Sequence, residues 1–485
     1  MRQIITTALG SFLCVLVLVS CTVNPATGDR QFTAFMSPQQ EARVGAQEHE
    51  KIMQLFGGVV KDEDVQNYVR QIGQKIVPYT ERPEVEYKFY VLDTPIINAF
   101  ALPGGYVYVT RGLVGLANSE AQLASVVGHE IGHITGRHSA ERYSQSVLAS
   151  LGTAILAAKV ESGGALDAAR LGSQLYISSY SREQENQADS LGIRYLERAG
   201  YDPLAASEFL ATLDRHSKLD AKIRGDNDNG GFDFFATHPR TENRVSDARS
   251  QALAVKDNGY VGKQAHYKII DGLIYGDSPR QGFAKGREFI HPELGFRFKV
   301  PEGFTIINNP TEVLAVSDNK GIIIFDGAGN DAGVDARTYL TQMWMAGEAL
   351  RSVEEITING KRAATAEFNG KVRGRESIIR LVAVRWSPKR YYRFIMAIPT
   401  GASDELIRAY QRTTYSLREL TADDIANAKP QRIKIITASP GDSVQSLAAR
   451  QALDSHSEQW FRILNGLDMF DSVREGEDYK IIVRQ

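Results

Sequence analysis

A chain of 485 residues with a formal charge of −2 has room for two to four domains and carries no electrostatic footprint for nucleic acid. Only two cysteines occur, Cys14 and Cys21, which excludes a disulfide-built scaffold and leaves stability to packed cores. In chain order the first feature is Arg2 followed by a short apolar stretch from Ile4 to Val19. That length suits a secretory signal and is short for a membrane-spanning helix.

The stretch runs into Leu18-Val19-Ser20-Cys21, which resembles the lipobox of bacterial lipoproteins. The resemblance implies that residues 1–20 are removed as a signal peptide and that Cys21 is diacylated and becomes the first residue of the mature chain. Two acyl chains anchor stably where one binds only marginally. The competing reading is an ordinary signal peptide with a chance cysteine. Thr22, in place of Asp after the cysteine, implies the outer membrane by the enterobacterial sorting pattern, with the chain on the periplasmic side. Cys14 leaves with the signal, so no intramolecular disulfide remains.

Residues 21–36, with Asn24-Pro25 and Thr27-Gly28, read as a tether or extended arm. Ser37 as cap and Pro38 at the first helical position predict a helix to about Phe56, stopped by Gly57-Gly58. A second helix is predicted over about Asp62 to Val77, and strands over Tyr87 to Leu92 and Tyr106 to Thr110, the latter after a Gly104-Gly105 turn. Ser119 to His133 is predicted as a helix with an S-x-x-Q capping box and an apolar face of Leu123, Val126, Val127, Ile131 and Ile134. A helical hairpin follows from about Ser144 to Lys159 and Ala165 to Tyr176, joined at Gly163-Gly164. Its apolar run, Val147 to Ala158, is too short to cross a bilayer and reads as a lid or core helix, with membrane contact the lesser alternative. Helices over Arg182 to Ala199 and Pro203 to Leu213 come next, then a polar segment, Asp220 to Gly231, with the composition of a mobile loop.

Beyond about residue 285 the texture becomes that of a separate α+β domain, 285–420. Strands are predicted at Phe296 to Val300, Ile322 to Phe325, Ile378 to Trp386 and Tyr391 to Ile398, and helices at Asp335 to Leu350 and Asp404 to Leu417. Asn359-Gly360 marks a hairpin turn. Residues 430–485 are expected to form a third unit. Ile433 to Ile436, Pro440-Gly441-Asp442-Ser443, Asn465-Gly466-Leu467 and Ile481 to Val483 resemble a LysM-like module, a βααβ fold that implies peptidoglycan as a ligand. Arg474-Glu475-Gly476-Glu477 departs from that pattern, and a packing domain without ligand is the equal alternative.

The chemistry centres on His129-Glu130-Ile131-Gly132-His133. Two histidines four apart share a helix face, so both imidazoles can reach one zinc ion, and the adjacent glutamate is placed to act as general base and then acid toward a water. Gly128 and Gly132 flank the motif at a helix penalty of about 1 kcal/mol each, which predicts close approach of another backbone or of the ion. A third ligand is needed. Glu185 is the candidate, with Asp189 one turn on, where it could orient a ligating histidine; Glu183 competes but lies off that stripe. His138, five residues past His133 and beyond Gly136, is assigned a structural or surface role. His49, His216, His266, His291 and His456 are assigned none.

His129 to His133 followed by Glu185-x-x-Ala188-Asp189 resembles the M48 family of metallopeptidases, and so do Asn98 to Gly112 and Thr237-His238-Pro239 with Arg244. The likeness covers about residues 37–250. It implies an α+β, mainly helical, gluzincin-like catalytic domain with a small sheet over 37–255, and one Zn2+ per chain on His129, His133 and Glu185. It also implies zinc-dependent endopeptidase activity on misfolded or misassembled cell-envelope proteins. His238 is expected near the centre, either donating to the oxyanion alongside Arg244 or ligating zinc as a fourth ligand that silences the resting enzyme. The segment Asn98 to Thr110 reads either as an edge strand that pairs with an extended substrate or as a plain structural strand. The rival function is an envelope assembly factor or chaperone for outer-membrane proteins with little or no proteolysis.

Overall fold

The computed structural model describes all residues except 1–20, 158–178, 225–233, 240–242, 256–258, 318–320, 373 and 454. The expected signal peptide, the second half of the helical hairpin and most of the Asp220 to Gly231 segment lie outside the described residues. Among the described residues no helix is long and apolar enough to cross a membrane. The chain divides into two compact units, one of residues 1–53, 58–275 and 432–483, the other of 54–57, 276–431 and 484–485.

In the first unit, residues 21–36 are not a tether. Cys21–Val23 (β1) and Arg30–Phe32 (β2) pair as an antiparallel hairpin, with Cys21 opposite Phe32 and Val23 opposite Arg30. The Asn24 side chain accepts from the Ala26 N–H and closes the turn. The hairpin docks because its polar groups find partners in the body of the unit. Asn24 Nδ2 donates to Gly136 O, and Arg194 donates to Ala26 O. Arg137 donates to Thr33 Oγ1 and Met36 O.

Helix α1 (Pro38–Leu55) begins as predicted, with reciprocal bonds between Ser37 and Gln40. Helix α2 (Glu63–Ile76) is capped by Asp62. A three-stranded sheet follows, ordered β3 (Lys88–Leu92), β5 (Tyr106–Thr110), β4 (Ala99–Leu102), with β3 parallel and β4 antiparallel to β5. Phe89, Val91, Val107 and Val109 join the α2 residues Val69 and Ile72 in the core. The alternate residues Tyr90, Tyr106 and Tyr108 stack around His49 of α1.

A short helix α3 (Arg111–Leu116) leads into α4 (Glu120–Thr135), the helix that carries the H-E-x-x-H motif. Ser119 caps α4, but the Gln122 carboxamide accepts from Asn118 N–H, one residue upstream of the cap, so the predicted capping box is not closed reciprocally. Helix α5 (His138–Ala157) starts six residues earlier than predicted. Helix α6 (Arg182–Arg198), capped by a Ser181–Gln184 box, packs against α4. Helices α7 (Leu204–Arg224), α8 (Phe234–Thr237), α9 (Arg244–Ala254) and α10 (Lys263–Ile270) complete this part.

The C-terminal segment has the predicted strand–helix–helix–strand order: β7 (Gln431–Thr437), α11 (Val444–Ala448), α12 (Ser457–Leu464) and β8 (Asp478–Arg484). It is not a separate third unit. Its strands share a sheet with Ile274–Tyr275 (β6), and Ile433, Ile463, Leu464 and Ile482 lie in the same core as the α4 side chains. Fully buried Lys480 donates to the Gly115, Leu116 and Ala117 carbonyls at the end of α3, so all three of its donors are satisfied where the helix presents partial negative charge. Burial, helped by Lys263, holds the Lys480 pKa well below its usual value.

The second unit carries a seven-stranded antiparallel sheet in the order Thr305–Asn308, Glu312–Ser317, Gly321–Gly329, Arg390–Pro399, Arg375–Ser387, Lys361–Val372, Arg351–Ile358. Asn359 and Gly360 both take positive φ, 46° and 81°, as the two-residue hairpin turn requires. The helix expected over Asp335 to Leu350 shrinks to Ala336–Thr338 and a π-helical stretch Tyr339–Trp344. Tyr339 and Leu340 are drawn onto the sheet face beside Tyr391, and packing outweighs helical propensity there.

Candidate metal centre

Helices α4 and α6 approach closely through small residues. A Cβ added at Gly132 would stand 3.2 Å from Ala188 O, and one at Gly192 would stand 3.1 Å from His129 N. The close approach predicted from Gly128 and Gly132 is therefore to another backbone. Small residues at 128, 132, 188 and 192 bring Glu185 and Asp189 alongside His129 and His133.

Four donors converge: His129, His133, Glu185 and His238, all buried, with ligand atoms within 4.8 Å of one another. His129 Nε2 and His133 Nε2 are 3.0 Å apart, and His129 Nε2 and His238 Nδ1 are 3.3 Å apart. Glu185 Oε1 lies 2.9 Å from His238 Nδ1 and 3.4 Å from His133 Nε2. Around a tetrahedral ion with bonds near 2 Å, donors stand about 3.3 Å apart.

The proton inventory gives an independent fit. His129 Nδ1 is 2.9 Å from Asp189 Oδ1, a carboxylate oxygen that only accepts, so Nδ1 carries the hydrogen. His138 Nε2 donates to Gln187 Oε1 at 3.2 Å, which leaves His138 Nδ1 to accept from His133 Nδ1 at 2.9 Å. Both Nε2 atoms are then bare and point at each other across 3.0 Å, which a cation between them resolves. Both oxygens of Glu130, itself fully buried, make no hydrogen bond, and Oε1 lies 3.4 Å from His238 Nε2, which leaves the carboxylate free to accept from a reacting water.

The electrostatics follow from burial and neighbours. Burial pushes the Glu130 carboxyl up, and His238 and His129 only partly oppose it. Burial pushes Glu185 up as well, but His238 and Arg244 outweigh it and hold the carboxyl well below the usual range. Arg244 donates to both Asp189 oxygens, at 2.6 and 2.8 Å, and its Nη1 lies 2.8 Å from Glu185 Oε2. Its guanidinium is thus committed to two carboxylates, which gives the expected oxyanion contact no support. His238 Nε2 lies 3.2 Å from the Ala99 carbonyl of β4 and 3.4 Å from Glu130 Oε1, while Nδ1 lies nearest Glu185 and His129. Burial lowers the ring's pKa, but Glu185 and Glu130 outweigh it and raise it.

His138, assigned a structural or surface role from the sequence, is fully buried against His133. Its ring lies where a Cβ on Gly136 would come within 2.5 Å of it. Tyr180 was also missed: it stacks on His133 with centroids 3.7 Å apart and reaches Ser139 with its hydroxyl. Gln187 lay inside the E-x-x-A-D motif without a role. A helix start at 138 is the signal that would have pointed the His138 ring back at His133.

These features, two helices pressed together to aim histidines and a glutamate at one point beside a buried carboxylate that makes no hydrogen bond, define a metalloprotease-type hydrolase centre. Residues 63–252 match Peptidase family M48, which makes this stretch a peptidase M48 domain. The chain is 31% identical over 212 residues to the beta-barrel assembly-enhancing protease of Escherichia coli K12, covering 41% of this chain and 42% of that protein. It is 33% identical over 203 residues to a putative beta-barrel assembly-enhancing protease of Vibrio cholerae, covering 40% of each. It is 27% identical over 223 residues to the mitochondrial metalloendopeptidase OMA1 of Schizosaccharomyces pombe, covering 46% of this chain and 63% of that one. The chain thus spans less than half the length of the bacterial relatives it matches.

Proposed function

We propose that this protein is a zinc-dependent endopeptidase, lipid-anchored at Cys21 on the periplasmic side of a bacterial envelope, that hydrolyses misfolded or misassembled envelope proteins. The single observation that carries the reading is the convergence of His129, His133, Glu185 and His238 next to buried Glu130, whose oxygens make no hydrogen bond. His129, His133 and Glu185 hold the ion. Zinc supplies Lewis acidity that brings water into its deprotonation range near neutral pH. Glu130 takes the proton of the attacking water and returns it to the leaving amine. Asp189 fixes the His129 tautomer and is itself held by Arg244. Edge strand β4 offers its backbone to an extended substrate.

For the resting enzyme the observations favour His238 as fourth ligand. Its Nδ1 faces the cluster, while the segment around it occupies the β4 edge: Phe234 N–H donates to Ile97 O, and His238 donates to Ala99 O. A fourth protein ligand closes the site as structural zinc sites are closed, so substrate must displace it. The second reading, an assembly factor with little proteolysis, draws on the names of the bacterial relatives. Zinc content and casein cleavage, with and without a chelator, test the proposal together with Glu130→Gln. That variant is expected to keep zinc and lose at least about a hundredfold in turnover; wild-type cleavage by it would refute the mechanism, and envelope rescue by it would favour the second reading.

A further inference from the structure

The docked N-terminal hairpin bears on where the enzyme works, given the reading of Cys21 as the acylated residue. We infer that the face carrying Val23, Arg30, Phe32, Phe35 and Leu148 seats directly on the lipid bilayer, so that the metal centre is held at a short, fixed height above the membrane.

Length comes first. Cys21 belongs to β1, so no free linker separates an acyl chain from the folded unit. Asn24, three residues on, is 3% exposed and donates to Gly136 O, the carbonyl at the C-cap of the metal-binding helix α4. Three residues span at most about 11 Å, and with a hydrogen-bonded side chain and one helical turn back to His133 the reach from Cys21 to the site is about 20 Å. The polar headgroup layer is itself about 6 Å deep on each side.

Stiffness comes second. Thr22 and Thr33 share a hydroxyl bond of 2.7 Å across the hairpin, and Thr33 takes a further bond from Arg137. Gln31 and Thr33 are buried, whereas Val23, paired with Arg30, is 64% exposed, so one face of the hairpin is built into the unit and the other is turned out. Chemistry comes third. Phe35 packs edge-on against Phe32, the residue opposite Cys21 in the hairpin, and its N–H is bonded to Ser144 of α5, one turn before Leu148. Phe35 and Leu148 are also exposed. An apolar patch around a lipid attachment point, with the Arg30 cation beside it for phosphate headgroups, matches a bilayer interface.

The test uses the full lipidated protein in vesicles of phosphatidylethanolamine and phosphatidylglycerol. The mature chain would have no cysteine other than Cys21, so Gln145→Cys, at an exposed position next to Ser144, accepts a single fluorophore. Headgroup-labelled quencher lipids should quench it strongly. Inserting 20 Gly/Ser residues between Cys21 and Thr22, which spans about 25 Å, should remove most of that quenching while detergent partitioning stays unchanged. Membrane-bound wild type quenched no more than the insertion variant overturns the seated face and leaves the anchor reading standing. Wild type recovered in the aqueous phase overturns both.

Discussion

Replacing His138 is expected to weaken metal binding although the residue donates nothing to the ion. In His138→Ala, His133 Nδ1–H loses the acceptor 2.9 Å away and stays buried without a partner. Leaving such a donor unpaired costs about 1–3 kcal/mol, and loss of an orienting partner typically weakens metal affinity about 10- to 100-fold. The two figures agree, since tenfold is about 1.4 kcal/mol. Competition against a chromophoric chelator measures the affinity, and melting of the metal-free variant separates it from any general loss of stability. His138→Asn serves as the control: its carboxamide oxygen falls near the Nδ1 position and can accept the same hydrogen, so it should recover most of the affinity. If alanine binds zinc within twofold of wild type, the tautomer relay through Gln187 is wrong. If alanine and asparagine weaken it equally, His138 acts by packing alone.

His238→Ala should raise basal cleavage or self-cleavage at unchanged zinc content; a large fall in turnover with full metal would remove the plug and restore the oxyanion role. Lys480→Met should take the lysine donor from the Gly115, Leu116 and Ala117 carbonyls, of which Ala117 O keeps its bond to His266, and destabilise the first unit by about 1–3 kcal/mol, read by urea melting; wild-type stability would contradict the docking described for β8. Burial, aided by Lys480, depresses the His266 pKa to about 3, well under the unfolded value near 6.5. The unfolded chain therefore takes up this proton first, and the stability present above pH 6.5 is lost as pH falls toward about 3, at about 1.4 kcal/mol per pH unit. His266→Gln, which can still donate to Ala117 O, should flatten the acid limb between pH 6 and 4 by that amount; melts at three pH values with identical slopes for the two proteins would refute it.

The sequence by itself determined the parts of this protein whose logic is local. Histidines at 129 and 133 share a helix face whatever surrounds them, and Glu185 with Asp189 repeats the geometry on a second helix. Gly128 and Gly132 pointed to close approach of another backbone or of the ion, and Ser37, Ser119 and Asn359-Gly360 marked their caps and turn through backbone demands that a few residues can state. What only the tertiary structure decided depends on partners far along the chain. His138 became a partner of His133 because α5 starts right after Gly136 and Gln187 arrives from α6. Residues 21–36 became a docked hairpin because Gly136, Arg137 and Arg194 supply its missing hydrogen bonds. The C-terminal βααβ segment looked free-standing because its own pattern is complete. Its place in the first unit was fixed by Lys480, which finds the carbonyls of a helix end more than 360 residues earlier, and no periodicity in the strand that carries it could reveal that match.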